Sequence, residues 1–122
     1  MNADSLRDLF EPFGPVKLRK MFGGHCIYAD DLCFAVQVKG EVFLKADAVS
    51  APLFEAAGCR QWTYDSQGKV TRMPYWRLAE TAYDDPDELA RWSRLALEAA
   101  RRRAAIPAKS RRAPSLPDKM AG

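Results

Sequence analysis

Residues 16–45 read VKLRKMFGGHCIYADDLCFAVQVKGEVFLK, and the punctuation of this stretch decides the fold. Breaks at Gly23-Gly24, Asp30-Asp31 and Lys39-Gly40 divide it into expected strands at 16–22, 25–29, 32–38 and 41–45. Connections this short leave no room for crossover helices, so the strands form an antiparallel meander. With Asp30-Asp31 as a two-residue turn, Ala29 meets Leu32, Ile27 meets Phe34 and His25 meets Val36. That register places Ile27, Leu32, Phe34, Val36 and Val38 on the core face, and Cys26, Tyr28, Cys33 and Gln37 on the other. At Lys39-Gly40 two turns compete. A two-residue loop brings Phe43 to the core face, whereas a three-residue loop with Gly40 in a bulge brings Val42 and Leu44 there; the longer loop is the expected one.

Before the meander, Leu6, Leu9, Phe10 and Phe13 form one helical stripe, with Asp4 and Ser5 as caps and Gly14-Pro15 as the stop. After it, Ser50 caps a short helix with Pro52 in its first turn, Leu53, Phe54 and Ala57 along it, and Gly58 as a left-handed stop. A second hairpin follows, 61–65 and 69–78 around Ser66-Gln67-Gly68. Pro74 lacks a ladder donor and makes its strand an edge, or breaks it. The last helix starts most clearly, with Asp85 as cap, Pro86 at its first position and Glu88 closing an acidic capping box. Leu89, Trp92, Ala96, Ala99 and Ala100 form its buried stripe. The predicted order is α-β-β-β-β-α-β-β-α, a two-layer α+β domain with an antiparallel sheet and helices on one face.

The chain has 122 residues, enough for one domain, and its 48% hydrophobic and 29% charged content is globular. No apolar run approaches the length of a membrane span, and the acidic start MNADSLRDLF has no signal-peptide core, so a cytoplasmic protein is expected. Charge is divided unevenly. Residues 101–122 hold seven basic residues against Asp118, while residues 1–100 hold twelve against fifteen acids. The expected division is a mildly acidic domain at 1–103 and a flexible, basic, proline-containing tail at 104–122.

His25, Cys26 and Cys33 are the one cluster that suggests metal or thiol chemistry. Neighbouring strand residues point to opposite faces, so His25 and Cys26 diverge; Cys26 and Cys33 share a face as diagonal partners. With three cysteines and no CxxC spacing, a disulfide framework is not expected, and the thiols read as packing groups. No cofactor, metal or catalytic residue is assigned. Gly23-Gly24 reads as a turn needing positive φ rather than an anion nest. Trp62, Tyr64, Tyr75 and Trp76 crowd the second hairpin and cannot all face one interior, so one or two are expected to be exposed as a contact surface. Arg101, Arg102, Arg103, Arg111 and Arg112 are the candidate nucleic-acid contacts, offering charge without stacking.

Met21-Phe22-Gly23-Gly24, then Tyr28, Phe34, Phe43-Leu44-Lys45, Phe54, Gly58, Trp62-Thr63-Tyr64, Met73-Pro74-Tyr75 and the Asp85-Pro86 helix start form an ordered series. Over roughly residues 3–103 the sequence resembles the TfoX N-terminal domain family, the Sxy-like regulators of bacterial natural competence. The resemblance implies a secretion-chaperone-like α+β fold associated with dimers, no known catalysis, and structural roles for Met21, Phe22, Gly23, Gly24, Met73 and Pro74. Full regulators of this family carry a further C-terminal domain and promote transcription together with the cyclic-AMP receptor protein. Here only the basic tail follows Arg103, so a stand-alone N-terminal-type domain is expected. The leading functional reading is a non-enzymatic regulatory module that binds a protein partner from the transcription machinery and forms a homodimer. The alternatives are weak, non-specific DNA contact through the tail, and a thiol or small-ligand enzyme site near Cys26, Cys33 and Tyr28.

Overall fold

The computed structural model describes residues 1–21 and 23–106. Helix α1 spans Ala3–Phe10, and four strands follow: β1 Lys17–Met21, β2 Gly24–Ala29, β3 Leu32–Val38 and β4 Glu41–Lys45. Helix α2, Ala51–Ala56, leads to the hairpin of β5 (Gln61–Ser66) and β6 (Lys69–Arg77). A 3-10 turn at Glu80–Tyr83 precedes α3, Pro86–Ala105. The fold is α+β, with all six strands antiparallel in the order β1-β2-β3-β4-β6-β5.

The hairpins close through two-residue turns, Asp30-Asp31, Lys39-Gly40 and Gln67-Gly68, with positive φ at every central residue. This is the primed turn geometry that follows the natural strand twist. Asp30 and Asp31 reach it without glycine, at φ values of 51° and 60°, since aspartate tolerates the left-handed region better than most residues.

Two corrections follow in the meander. The expected Ala29–Leu32 pair is present, but a β-bulge shifts the register beyond Tyr28–Cys33, so Ile27 pairs with Ala35, Cys26 with Val36 and His25 with Gln37. Phe34 is the extra residue, and its ring packs against Phe10 and Phe13 at 5.5 and 5.1 Å. Past the bulge β3 exchanges its faces: Ala35 joins the core beneath the helices, while Val36 and Val38 turn to the opposite face. Val42 and Leu44 do lie in the helix-side core. The expected three-residue loop is not the cause, since Val38 pairs directly with Glu41; the bulge supplies the inversion instead.

Strand β6 is likewise interior, between β4 and β5, not an edge. Pro74 lies where the β5–β6 register shifts, between the Gln61–Trp76 and Thr63–Arg72 pairs. There its missing N–H breaks no regular ladder, and its carbonyl accepts the Ala46 N–H at 3.0 Å.

Helix caps differ in detail from the sequence reading. Asn2, rather than Asp4 or Ser5, caps α1 by accepting the Ser5 N–H. The Ser50 side chain makes no cap bond to α2; its hydroxyl accepts the Asp47 N–H, while Asp47 Oδ1 accepts the N–H groups of Val49 and Ser50. Asp85 caps α3 as expected, accepting from Asp87 and Glu88. Glu88 does not close a capping box: it accepts the Thr81 hydroxyl and the Trp92 indole N–H. Leu6, Phe10, Phe54, Leu89, Trp92 and Ala96 bring all three helices onto one face of the sheet.

Candidate functional site: the helix-free face of the sheet

A second apolar cluster lies on the other side. Val36, Val38, Met73 and Tyr75 are buried there, with Met21, Cys26, Cys33, Phe43, Trp62 and Tyr64 partly buried around them. Among the described residues no helix contributes to this cluster. Strand alternation explains the set: Met21 on β1, Cys26 and Tyr28 on β2, and the post-bulge Val36 and Val38 on β3 share one side of the pleat. Aromatic side chains of β4 and β5 meet across the intervening β6. The Phe43 and Trp62 rings stack at 5.4 Å, and Trp62 lies 6.3 Å from Tyr75.

Sulfur and charge occupy the β1–β3 side of this face. The Cys26 thiol lies 3.3 Å from the Met21 thioether, and Cys33 Sγ stands 3.9 Å from the Tyr75 hydroxyl and 3.4 Å from the Ala35 carbonyl. Lys45 Nζ sits 5.8 Å above the Tyr75 ring. The Cys33 thiol is held below its ordinary value, to about 6, chiefly by its hydrogen bond with Cys26. The Tyr75 hydroxyl and the Lys45 charge act in the same direction, against burial. Cys26 moves upward, because its thiol serves Cys33 and is itself partly desolvated. Burial raises the Tyr75 and Tyr28 hydroxyls and lowers Lys45.

Against known families, residues 8–100 match the model of the TfoX N-terminal domain. The chain belongs to the TfoX N-terminal domain family. Protein Sxy of Escherichia coli (strain K12) is 30% identical over 87 residues, a stretch that covers 71% of this chain and 42% of Sxy. The match therefore spans less than half the length of that relative.

Within this TfoX N-terminal domain, the four hairpin aromatics separate onto two faces. Trp62, Tyr64 and Tyr75 belong to the helix-free face, whereas Trp76 packs on the helix side against Phe54 at 6.2 Å. Tyr75 is buried and the other three are half-buried, so none is exposed as the sequence reading expected. Two apolar clusters rather than one absorb the surplus. Gly23 takes the positive φ expected of it, at 83°. Gly24 does not; it is required because a Cβ would meet the Gln37 carbonyl oxygen at 1.6 Å. Met21 and Met73 pack in the helix-free cluster, and Phe22 lies outside the described residues.

The basic candidates are partly committed elsewhere. Arg101 pairs with Asp30, and Arg102 grips Asp47 through two bonds of 2.6 and 3.0 Å, tying the end of α3 to the body of the domain. Arg103 is half-buried, while Arg111 and Arg112 lie outside the described residues, as does the tail from residue 107. His25 faces away from Cys26, and its Nδ1 is 3.0 Å from Gln37 Oε1. Tyr28 lines a cleft of about 350 Å³ between Pro15 and Asp31, but neither Cys26 nor Cys33 lines it. The sequence reading missed Met21 and Lys45 as neighbours of the thiols; the β1–β2 register, which sets Arg19 opposite Cys26, carries the signal for Met21.

Proposed function

We propose that this domain is a non-enzymatic regulatory module that engages a protein of the transcription machinery through the helix-free face of its sheet. The observation that carries the reading is the second apolar cluster, built from aromatics and methionines with no described helix laid over it. Aromatic and methionine side chains are enriched where protein surfaces meet. Membership of the TfoX N-terminal domain family supports a regulatory role of the competence-regulator kind. The ion pairs made by Arg101 and Arg102 weigh against the rival reading of a free basic clamp on DNA. Homodimerisation and a cytoplasmic setting belong to the same proposal. Among the described residues β1 ends the sheet on one side, and an outer strand is where a second copy would add to it.

The test is a binding titration of the purified chain against RNA polymerase and the cyclic-AMP receptor protein assembled on promoter DNA. Trp62→Ala is expected to weaken binding by about tenfold or more, as loss of an aromatic anchor does, while Leu53→Ala on exposed α2 leaves it unchanged. No binding by the wild type, or equal binding by the folded Trp62→Ala variant, contradicts the reading. Light scattering reports the dimer in the same samples.

A further inference from the structure

The strand ladders set the side chains of the helix-free face in rows. Arg19, Cys26, Val36, Phe43 and Arg77 are successive partners across β1, β2, β3, β4 and β6, so an apolar centre is bracketed by an arginine at each end. Four strand spacings, about 19 Å, separate the two. Lys17, opposite Tyr28, and Lys45, opposite Tyr75, flank this row, and Lys69, opposite Ser66, adds a cation at the tip of the second hairpin. Among the described residues Glu41 is the one acidic strand residue on this side. It binds Arg77 at 3.0 Å, as Asp31 binds Lys17 at 3.7 Å. Arg19, Lys45 and Lys69 make no ion pair among the described residues. This cationic excess runs against the average of the domain, since residues 1–100 hold fewer basic than acidic side chains.

We propose that this face receives an amphipathic helix of the partner protein whose apolar stripe is flanked by aspartate and glutamate. The inference rests on the protein-engagement reading above and names the chemistry of the partner surface. A sheet with two apolar faces buries both, and on the opposite side α3 supplies the cover with Leu89, Trp92 and Ala96. An α-helix with its side chains is about 10–12 Å wide. Laid along the strands over Val36 and Phe43, it fits between Arg19 and Arg77 and brings flanking carboxylates towards both. Charge excludes two nearer occupants. A second copy presenting the same face would set arginine and lysine against arginine and lysine, and residues 107–122 of this chain hold four basic residues against Asp118. Single-stranded nucleic acid shares the negative charge but needs free ring faces on which bases stack. Here the Phe43 and Trp62 rings stack on each other at 5.4 Å, and Tyr75 is buried.

The probe is a fluorescein-labelled helical peptide of about five turns, with leucine and phenylalanine at i, i+3, i+4 and i+7 and glutamate along both flanks. A second peptide carries lysine at the glutamate positions. Anisotropy titrations with the full chain at low salt are expected to show the glutamate peptide bound about tenfold more tightly or better, with an affinity that falls as salt rises. Arg19→Glu, exposed on β1, should weaken it about fivefold, and adding Lys45→Glu should take the loss beyond about tenfold. Arg91→Glu, exposed on α3 across the sheet, should bind like the wild type. Failure of the wild type to bind the glutamate peptide overturns the inference, as does equal binding of the two peptides or an affinity indifferent to salt. Binding unchanged by Arg19→Glu, or tighter binding of a labelled oligothymidylate, does the same. Melting curves confirm folding, and the two peptides on the wild type keep the test decisive if a variant is unfolded. A chain that binds the promoter assembly through Trp62 without preferring the glutamate peptide refutes this inference alone. One that prefers the glutamate peptide but ignores the assembly refutes only the transcription-machinery reading.

Discussion

Replacing Gly24 with alanine puts a methyl group 1.6 Å from the Gln37 carbonyl oxygen and 2.7 Å from its carbon. A carbon–oxygen contact needs about 3.3 Å, so the backbones of β2 and β3 must separate by more than an ångström. Both opposing atoms are main chain, and no rotamer change relieves the clash. The separation strains the Gly24–Val38 pair and the bond from Lys39 N–H to the Gly23 carbonyl, at a cost of about 1 kcal/mol for each hydrogen bond lost. Loosening buried Val38 and the His25–Gln37 contact adds about 2 kcal/mol, for a total near 4 kcal/mol. Gly23 is the internal control. A Cβ there meets nothing within 4 Å, and alanine pays only the left-handed backbone at φ 83°, about 1–2 kcal/mol. At about 4 °C per kcal/mol, Gly24→Ala should lower the melting temperature by about 15 °C and Gly23→Ala by about 4–8 °C. Far-ultraviolet circular dichroism during heating and in urea measures both. If Gly24→Ala proves no less stable than Gly23→Ala, the close approach of β2 to β3 is wrong.

Two further perturbations address the charge clasp and the core. Arg102 and the Ser50 backbone N–H hold the Asp47 carboxyl down to about 2, against burial and below its unfolded value of about 3.9. Its stabilisation is therefore complete above about pH 5 and is lost as pH falls through that interval, amounting after solvent screening to about 1 kcal/mol at neutral pH. Asp47→Asn should be less stable than wild type by that amount at pH 7 and converge with it near pH 2; urea midpoints showing a pH-independent gap would sink the clasp. Ser93 is fully buried in α3 with no partner for its hydroxyl among the described residues, so Ser93→Ala should stabilise by about 0.5–1 kcal/mol and raise the melting temperature by about 2–4 °C. A lower melting temperature would show that the hydroxyl is satisfied.

Much of this domain is legible in local chemistry. Strand breaks at Asp30-Asp31, Lys39-Gly40 and Gln67-Gly68, the Asp85-Pro86 start of α3, and the apolar stripes of α1 and α3 each depend on residues within one turn or one hairpin. Those signals suffice for an α+β domain with an antiparallel sheet, and the ordered motifs from Met21 to Pro86 suffice for its family. Strand order does not follow from them. Pro74 suggested an edge, yet β6 lies inside the sheet, because its neighbour is chosen by contacts with distant β4 and its proline falls at a register shift.

The helix-free face was hidden for a related reason. Alternation along β3 shows two sets of side chains, but the extra residue at Phe34 exchanges their faces halfway, and that residue is placed by packing against Phe10 of α1 and Phe13 in the turn after it. Val36, Val38 and Phe43 consequently join Tyr75, Trp62 and the sulfurs of Met21, Cys26 and Cys33 on the helix-free side. By itself the sequence determined the elements, the places where the strands break and the fold class, because propensity, capping and breaker residues act over a few neighbouring residues. Only the tertiary structure decided which face each strand presents, since a one-residue shift in pairing inverts a strand and is selected by contacts far away along the chain.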